Sequence, residues 1–520
     1  MNIAYIGGFL KEGLIKNNHT VIDIPRNNYI DINDAIENLN IKIDIVILEL
    51  YGKTDFPRLA NSKYKLIGYA IDSSINEFWL FPLAHIFDLF FCDQLDSVMR
   101  FRSKGIEAHW LPLCAQDSYF RYSDEKEYDI TFIGNTSKYR LKRNNLIKYL
   151  KKNTNITTFE NISFDKMQDI CAQSRIVLNE NLFNGFTLRV LQGLASGSLV
   201  LTESDTIGVD HFFTHEKELV TYSHLDILDQ IDKILSNYQK YEKIATEGQK
   251  KCREQHTSQK RTLFLLEKIA HDIKSSGYSQ SEKEYYEAIA RYMLAMRFGG
   301  QITDQLEVWS RIYNDPSQNP ALHARCLCAI ATFYARRGDF SSAKEFFSHA
   351  QNELNETYFH LRLALLELLQ NHPGSAMHHI QHVISVTSPS VIASLHIDES
   401  DLHSCSEDNI FYLLAKLNSL TGALFHSGFF KIHKDEFPDT SFDYTMMAWN
   451  IRKDPKYLDF MLFCLHPYHL EGELIPYFIE GIQEGICTNL QILKTAELAL
   501  SYYDFDLANS LINGIKRIKK

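Results

Sequence analysis

The chain has 520 residues, too many for one ordinary core, so two to four domains are expected. Hydrophobic residues make up 45% and charged residues 23%, and the net charge of −11 excludes the basic excess of a nucleic-acid-binding protein. No run approaches the roughly 18 apolar residues needed to cross a bilayer, the opening residues do not read as a signal peptide, and nine scattered cysteines form neither a disulfide framework nor a zinc site. Reduced, mostly buried thiols in a cytoplasmic protein are expected.

Residues 1–122 alternate short apolar runs with helical stretches. The runs at 3–6, 21–24, 43–48, 64–71 and 89–91 predict parallel strands buried on both faces, a βαβ lobe. Gly7 and Gly8 follow the first run, and a lone glycine pair is weak support for a nucleotide site; shaping the acceptor side of a cleft is the expected role. The pattern restarts at 128–133, which ends at Gly134. A basic helix over 139–152, strands at 157–159 and 175–179, a helix over 187–196, strands at 198–202 and 218–222, and helices to about 273 complete a second lobe, 123–274. Ligands of such folds sit in the crevice at the carboxyl ends of the strands.

From 275 the strand signals fade. A polar linker, Ser275-Ser276-Gly277, leads into paired helices. Leu327, Ile330, Ala331, Tyr334, Gly338, Phe340, Ala343, Phe347 and Ala350 fall at the spacing of a tetratricopeptide repeat. Looser units span 286–313, 361–384 and 496–515, and 386–438 reads as an irregular insertion. An all-α tetratricopeptide-like solenoid over 275–520 is expected.

The chemistry points to 177–203, which reads as strand, polar loop, helix, glycine, strand. Asn184 and Gly185 make a tight turn, and Phe186 and Thr187 open the helix. Free N–H groups and the positive dipole end at such a start suit a diphosphate. Thr187 can add its hydroxyl, and Arg189 can fork onto phosphate oxygens. The plainer alternatives are a simple turn at Asn184-Gly185 and a surface position for Arg189. Gln192 reads as a ribose contact or as helix surface. The turn Gly134-Asn135-Thr136 offers further donors. No Asp-x-Asp pair lies on a suitable loop, so charge stabilisation without metal is expected. For a general base, Asp72 at a strand end comes first and His85 second. The alternatives are a helix cap for Asp72 and a satisfied core position for His85.

The segment 177–203 resembles the C-terminal lobe of GT-B glycosyltransferases, in particular the spore-maturation CgeB-like branch. Tyr128 to Gly134 with Arg140 is similar to that branch's first C-lobe strand. Leu111-Pro112 with Asp117 is similar to its lobe connection, and His256-Thr257 with Arg261 to its closing element. Ile71-Asp72-Ser73 and Phe87 to Phe90 have counterparts in its N-lobe. The resemblance implies an α/β GT-B fold of two Rossmann-like lobes and a nucleotide-sugar donor, a UDP-sugar first. Retaining members often carry two glutamates eight residues apart, where this chain has Asn184 and Gln192, so the stereochemical class stays open. Joined to repeats, the chain resembles bacterial flagellin O-glycosyltransferases. That implies a protein acceptor, flagellin, on Ser or Thr hydroxyls. A glycan or lipid-linked acceptor with the repeats as an assembly module, and a non-catalytic scaffold, are the alternatives.

Overall fold

The computed structural model describes residues 1–520 apart from 40, 53–54, 137–139, 275, 352–355, 427–436 and 519–520. Ser275 of the linker and Tyr139, the expected start of the basic helix, therefore lie outside the described residues. The chain forms two compact units: Met1–Ser74, Phe87–Ser276 and Leu493–Lys520 in one, Ile75–Ile86 and Gly277–Ile492 in the other.

The first unit holds two all-parallel sheets. Strands β1 (Asn2–Ile6), β2 (Thr20–Asp23), β3 (Ile45–Leu50), β4 (Lys65–Ala70), β5 (Leu89–Cys92) and β6 (Ala108–Trp110) lie in the order β2-β1-β3-β4-β5-β6. Strands β7 (Tyr128–Ile133), β8 (Ile156–Phe159), β9 (Ser174–Leu178), β10 (Leu199–Glu203) and β11 (Val220–Tyr222) lie in the order β11-β10-β9-β7-β8. Continuous burial along β3 and β10 shows why these strands read as unbroken apolar runs: both faces are covered. Strand β6 is the one that the sequence hides. It has three residues, at the edge of its sheet, in a stretch read as a connection between lobes.

The strand order reverses between β1 and β3 in the first sheet and between β7 and β9 in the second. Chain leaving two strands in opposite directions opens a crevice at their carboxyl ends. The second of these crevices positions the site described below.

The last two helices, Asn489–Ser501 and Phe505–Ile518, pack on each other through Ala496, Ala499 and Ala508. The repeat pattern sets this pair in tandem with the other repeats, yet Tyr503 is buried in the core of the second sheet with Ile231 and Tyr241. The Phe505 ring lies 4.6 Å from that of Tyr149, and Tyr503 Oη donates to Glu203 at 3.4 Å.

In the other unit consecutive helices pack as pairs: Gln280–Phe298 with Thr303–Tyr313, Pro320–Ala335 with Phe340–His349, Glu356–Leu369 with Pro373–Val386, and Glu407–Asn418 with Ser441–Ile451. Leu327, Ala331, Ala343, Phe347 and Ala350 share one core, so the positions read at repeat spacing do meet. Gly338, at φ 79°, ends the first helix of that pair in the left-handed region. The stretch expected to be an irregular insertion contains an ordered helix, Glu407–Asn418, buried along most of its length. Its buried Asp408 and Asn409 disguise the apolar pattern; Asn409 donates to Asp401 O and Tyr457 to Asp408. All nine cysteines are free and seven are buried. Among the described residues no helix is long and apolar enough to cross a membrane.

Candidate functional site

Strand β7 ends at Ile133 and passes into Gly134; β9 ends at Leu178 and passes into Asn179. The crevice between them is filled from above by Arg189, in the first turn of the helix Leu188–Ala195. Its Nε donates to Ile133 O at 2.8 Å and its Nη1 to Asn179 Oδ1 at 3.1 Å. The guanidinium lies 4.7 Å from the centre of the Phe132 ring. A Cβ on Gly134 would stand 2.7 Å from Nη2, so only glycine leaves room for the group. Arg189 is half-buried at a strand switch point, and the surface reading is excluded. Burial, reinforced by neighbouring Arg143, lowers its pKa to about 10, so it remains a cation at neutral pH.

Three further cations lie in the same lobe. Arg143 is buried, donates to Glu180 at 2.6 Å and reaches Asn135 O at 3.1 Å. Arg140 is felt electrostatically by both Arg189 and Asp72. Lys142 pairs with the buried Glu203 at 2.6 Å. Glu180 and Glu203, just beyond β9 and at the end of β10, hold Arg143 and Lys142 in place and went unrecognised in the sequence. Glu180 sits inside the polar loop that the motif singles out, but its partner Arg143 is 37 residues away.

The loop before the helix is strained. Phe183 and Asn184 have φ of 56° and 50°, two successive non-glycine residues in the left-handed region. A Cβ on Gly185 would stand 2.8 Å from Gln94 Oε1. The Phe186 amide, expected to be free for phosphate, donates to Gln94 Oε1 at 2.9 Å, and Gln94 Nε2 donates back to Phe186 O at 3.1 Å. Thr187 turns its hydroxyl onto Asn179 Oδ1 at 2.7 Å. These groups build the loop and brace it against the first lobe, while the cationic side chains face the crevice. The Thr136 amide and hydroxyl are likewise engaged, both with Glu160, and Asn135 is exposed beside it. Gln192 is buried, so the helix-surface reading fails for it too.

On the first lobe, Asp72 stands after β4 with φ 52°, its amide donating to Asp93 Oδ2 at 2.9 Å. Asp93, not Asp72, caps the helix Ser73–Ala84, accepting from Ser73 N at 3.0 Å and Ser73 Oγ at 2.7 Å. Gln94 Nε2 also donates to Asp93, at 3.0 Å, so one chain of contacts runs from Asp72 through Asp93 and Gln94 to Phe186. The Asp72 carboxyl is accessible to solvent, yet crowding by protein raises its pKa and Arg140 pulls it back. That suits a group poised to take a proton beside an anion site.

His85 does not share this site. It follows the carboxyl end of the helix Ser73–Ala84 and belongs to the other compact unit. Its Nδ1 donates to Phe81 O at 2.9 Å, and its ring stacks on Tyr286 with centres 4.0 Å apart. These contacts satisfy a half-buried ring. The Gly7-Gly8 loop is also occupied: the Gly8, Phe9 and Leu10 amides donate to the buried Glu49 carboxylate at 2.7, 3.0 and 2.9 Å. A nest that would bind an anion is filled by the chain's own carboxylate. His256 is buried beside Arg261, and its backbone and that of Ser258 bridge Ala115.

Burial, with Asp72 next to it, raises the Asp93 pKa to about 6. The folded state then binds this proton more readily than the unfolded chain, so its contribution falls as pH rises from about 4 through about 6. Asp93→Asn is expected to flatten the Tm profile over that window; a slope equal to wild type would show that Asp93 is not the group responsible.

The cationic crevice at the carboxyl ends of the second sheet falls within a segment that matches a family of sugar-transferring enzymes. Residues 120–267 match the family model Glyco_trans_1_2, described as glycosyl transferase-like, and the chain is a glycosyltransferase. No curated protein matches the chain. Solved structures similar to it include a sucrose-phosphate synthase from Thermosynechococcus elongatus, 9% identical over 52% of this chain and 98% of the other, TM-score 0.39. A glycosyltransferase from Rickettsia africae is 12% identical over 52% and 98%, TM-score 0.36. HepE of Anabaena, in complex with UDP and glucose, is 9% identical over 52% and 100%, TM-score 0.38.

Proposed function

We propose that this enzyme transfers a sugar from a nucleoside diphosphate sugar to a hydroxyl group of a protein. The observation that carries the donor half is the Arg189 guanidinium, held at the β7–β9 switch point by Ile133 O and Asn179 with Arg140 and Arg143 beside it. A leaving diphosphate gains negative charge as the glycosidic bond breaks, and preorganised cations stabilise that charge. Metal-independent transfer follows from that role. Asp72, accessible and electrostatically linked to Arg140, is the group we assign as general base toward the acceptor hydroxyl. Gln192, Asn184 and the Gly134-Asn135 turn are the groups we assign as nucleotide contacts.

The helical unit supports a protein acceptor, because successive helix pairs are the architecture of tetratricopeptide-like modules that grip peptides. Flagellin is the acceptor that the sequence resemblance implies, and UDP the nucleotide. Thermal shift of the full chain with UDP, GDP, ADP and CMP, each without and with magnesium, tests the donor reading. A selective rise with UDP that does not need magnesium is expected; a hundredfold excess over Kd corresponds to about 2.7 kcal/mol. No rise with any nucleotide would remove the crevice assignment. Labelled sugar appearing in a glycan or lipid fraction, and not in purified flagellin, would overturn the acceptor.

A further inference from the structure

The helical unit carries a cluster of ligand-type side chains that transfer chemistry does not use. Glu356 and His360 lie one turn apart on the helix Glu356–Leu369, so they share a face. His379 and His382 lie one turn apart on its partner, Pro373–Val386. The two faces meet. His382 Nε2 lies 2.7 Å from Glu356 Oε1, and the His360 and His382 rings are 4.0 Å apart between centres. One donor atom from each of Glu356, His360 and His382 lies within 4.8 Å of the other two. Among the described residues no other trio of His, Cys, Asp or Glu converges in this way.

We infer that Glu356, His360 and His382 form a binding site for a divalent transition-metal ion of the zinc class, built across one helix pair. Imidazole and carboxylate donors are the set that borderline ions such as Zn²⁺, Co²⁺ and Ni²⁺ prefer. Bonds of about 2.0–2.1 Å put tetrahedral donors about 3.3–3.4 Å apart. The present spacing closes to that value by small rotamer changes, since Glu356 is exposed and both histidines are only half-buried. His379 supplies the outer contact. Its Nδ1 lies 2.9 Å from His360 Nδ1, the kind of hydrogen bond that fixes the tautomer and ring plane of a ligand histidine. Three protein donors leave a fourth position for water or an exogenous ligand. The site clamps the two helices, so metal binding stabilises this unit.

Titration of the untagged full chain with cobalt(II) chloride, read by visible absorption, tests the inference. One equivalent with the intense bands of a low-coordinate ion is expected, displaced by zinc chloride, with Tm rising on zinc addition. His360→Ala with His382→Ala should abolish both signals, and Glu356→Gln, at an exposed position where folding is not at stake, should weaken binding by about tenfold or more. His379→Ala should weaken it by about 10–100-fold while leaving one site. Absence of cobalt bands in the wild-type chain, or equal binding by the Glu356→Gln chain, would overturn the site.

Discussion

Replacing Arg189 with alanine is expected to lower kcat/KM by about 10²–10³-fold, the loss seen when one preorganised charge-stabilising donor leaves a transition state. Arg189 is fixed by two hydrogen bonds to groups on adjacent strands, Ile133 O and Asn179 Oδ1, and cannot be replaced by solvent in the same position. The substitution also leaves those two acceptors without this donor, a stability cost of about 1–3 kcal/mol. Activity should therefore fall far more than Tm. Arg189→Lys separates charge from shape. One ammonium cannot serve Ile133, Asn179 and a phosphate together, so that variant should keep the charge and still lose at least about tenfold. Wild-type turnover in Arg189→Ala would sink the assignment.

Gly134→Ala should reproduce much of that loss without touching a charged group. The added methyl would stand 2.7 Å from Arg189 Nη2, and the backbone there has φ 158°, a conformation that costs an alanine more than a glycine. The guanidinium must shift, and displacement of a catalytic group by about 1 Å costs up to about 10²-fold. The diagnostic measurement is the double-mutant cycle. If Gly134 acts only by making room for Arg189, then Gly134→Ala on the Arg189→Ala background should add almost nothing. Losses that multiply independently would show that Gly134 has another role.

Much of the fold was legible because local physics carries it. The apolar runs that become β1, β3, β7, β9 and β10 are continuous since both sheet faces are covered, and Gly134, Gly185 and Gly197 mark turns close in sequence. The helix pairs around Gly338 followed from spacing alone. Strand β6 did not, because three edge residues carry too little pattern. The helix Glu407–Asn418 was hidden by polar residues whose partners lie elsewhere in the fold.

The sequence by itself determined the strands of the second α/β lobe and the polar loop before the helix Leu188–Ala195, because these depend on neighbours within about ten positions. Only the tertiary structure decided what each group touches. It turned the Phe186 amide and the Thr187 hydroxyl to structural partners, gave the capping role to Asp93, placed His85 against Tyr286, and filled the Gly7-Gly8 nest with Glu49. It also brought Glu180 to Arg143, Tyr503 to Glu203, and His382 to Glu356. All but the Thr187–Asn179 contact join residues at least 20 apart in the chain, and periodicity along one strand or helix holds no record of which distant side chain will stand opposite.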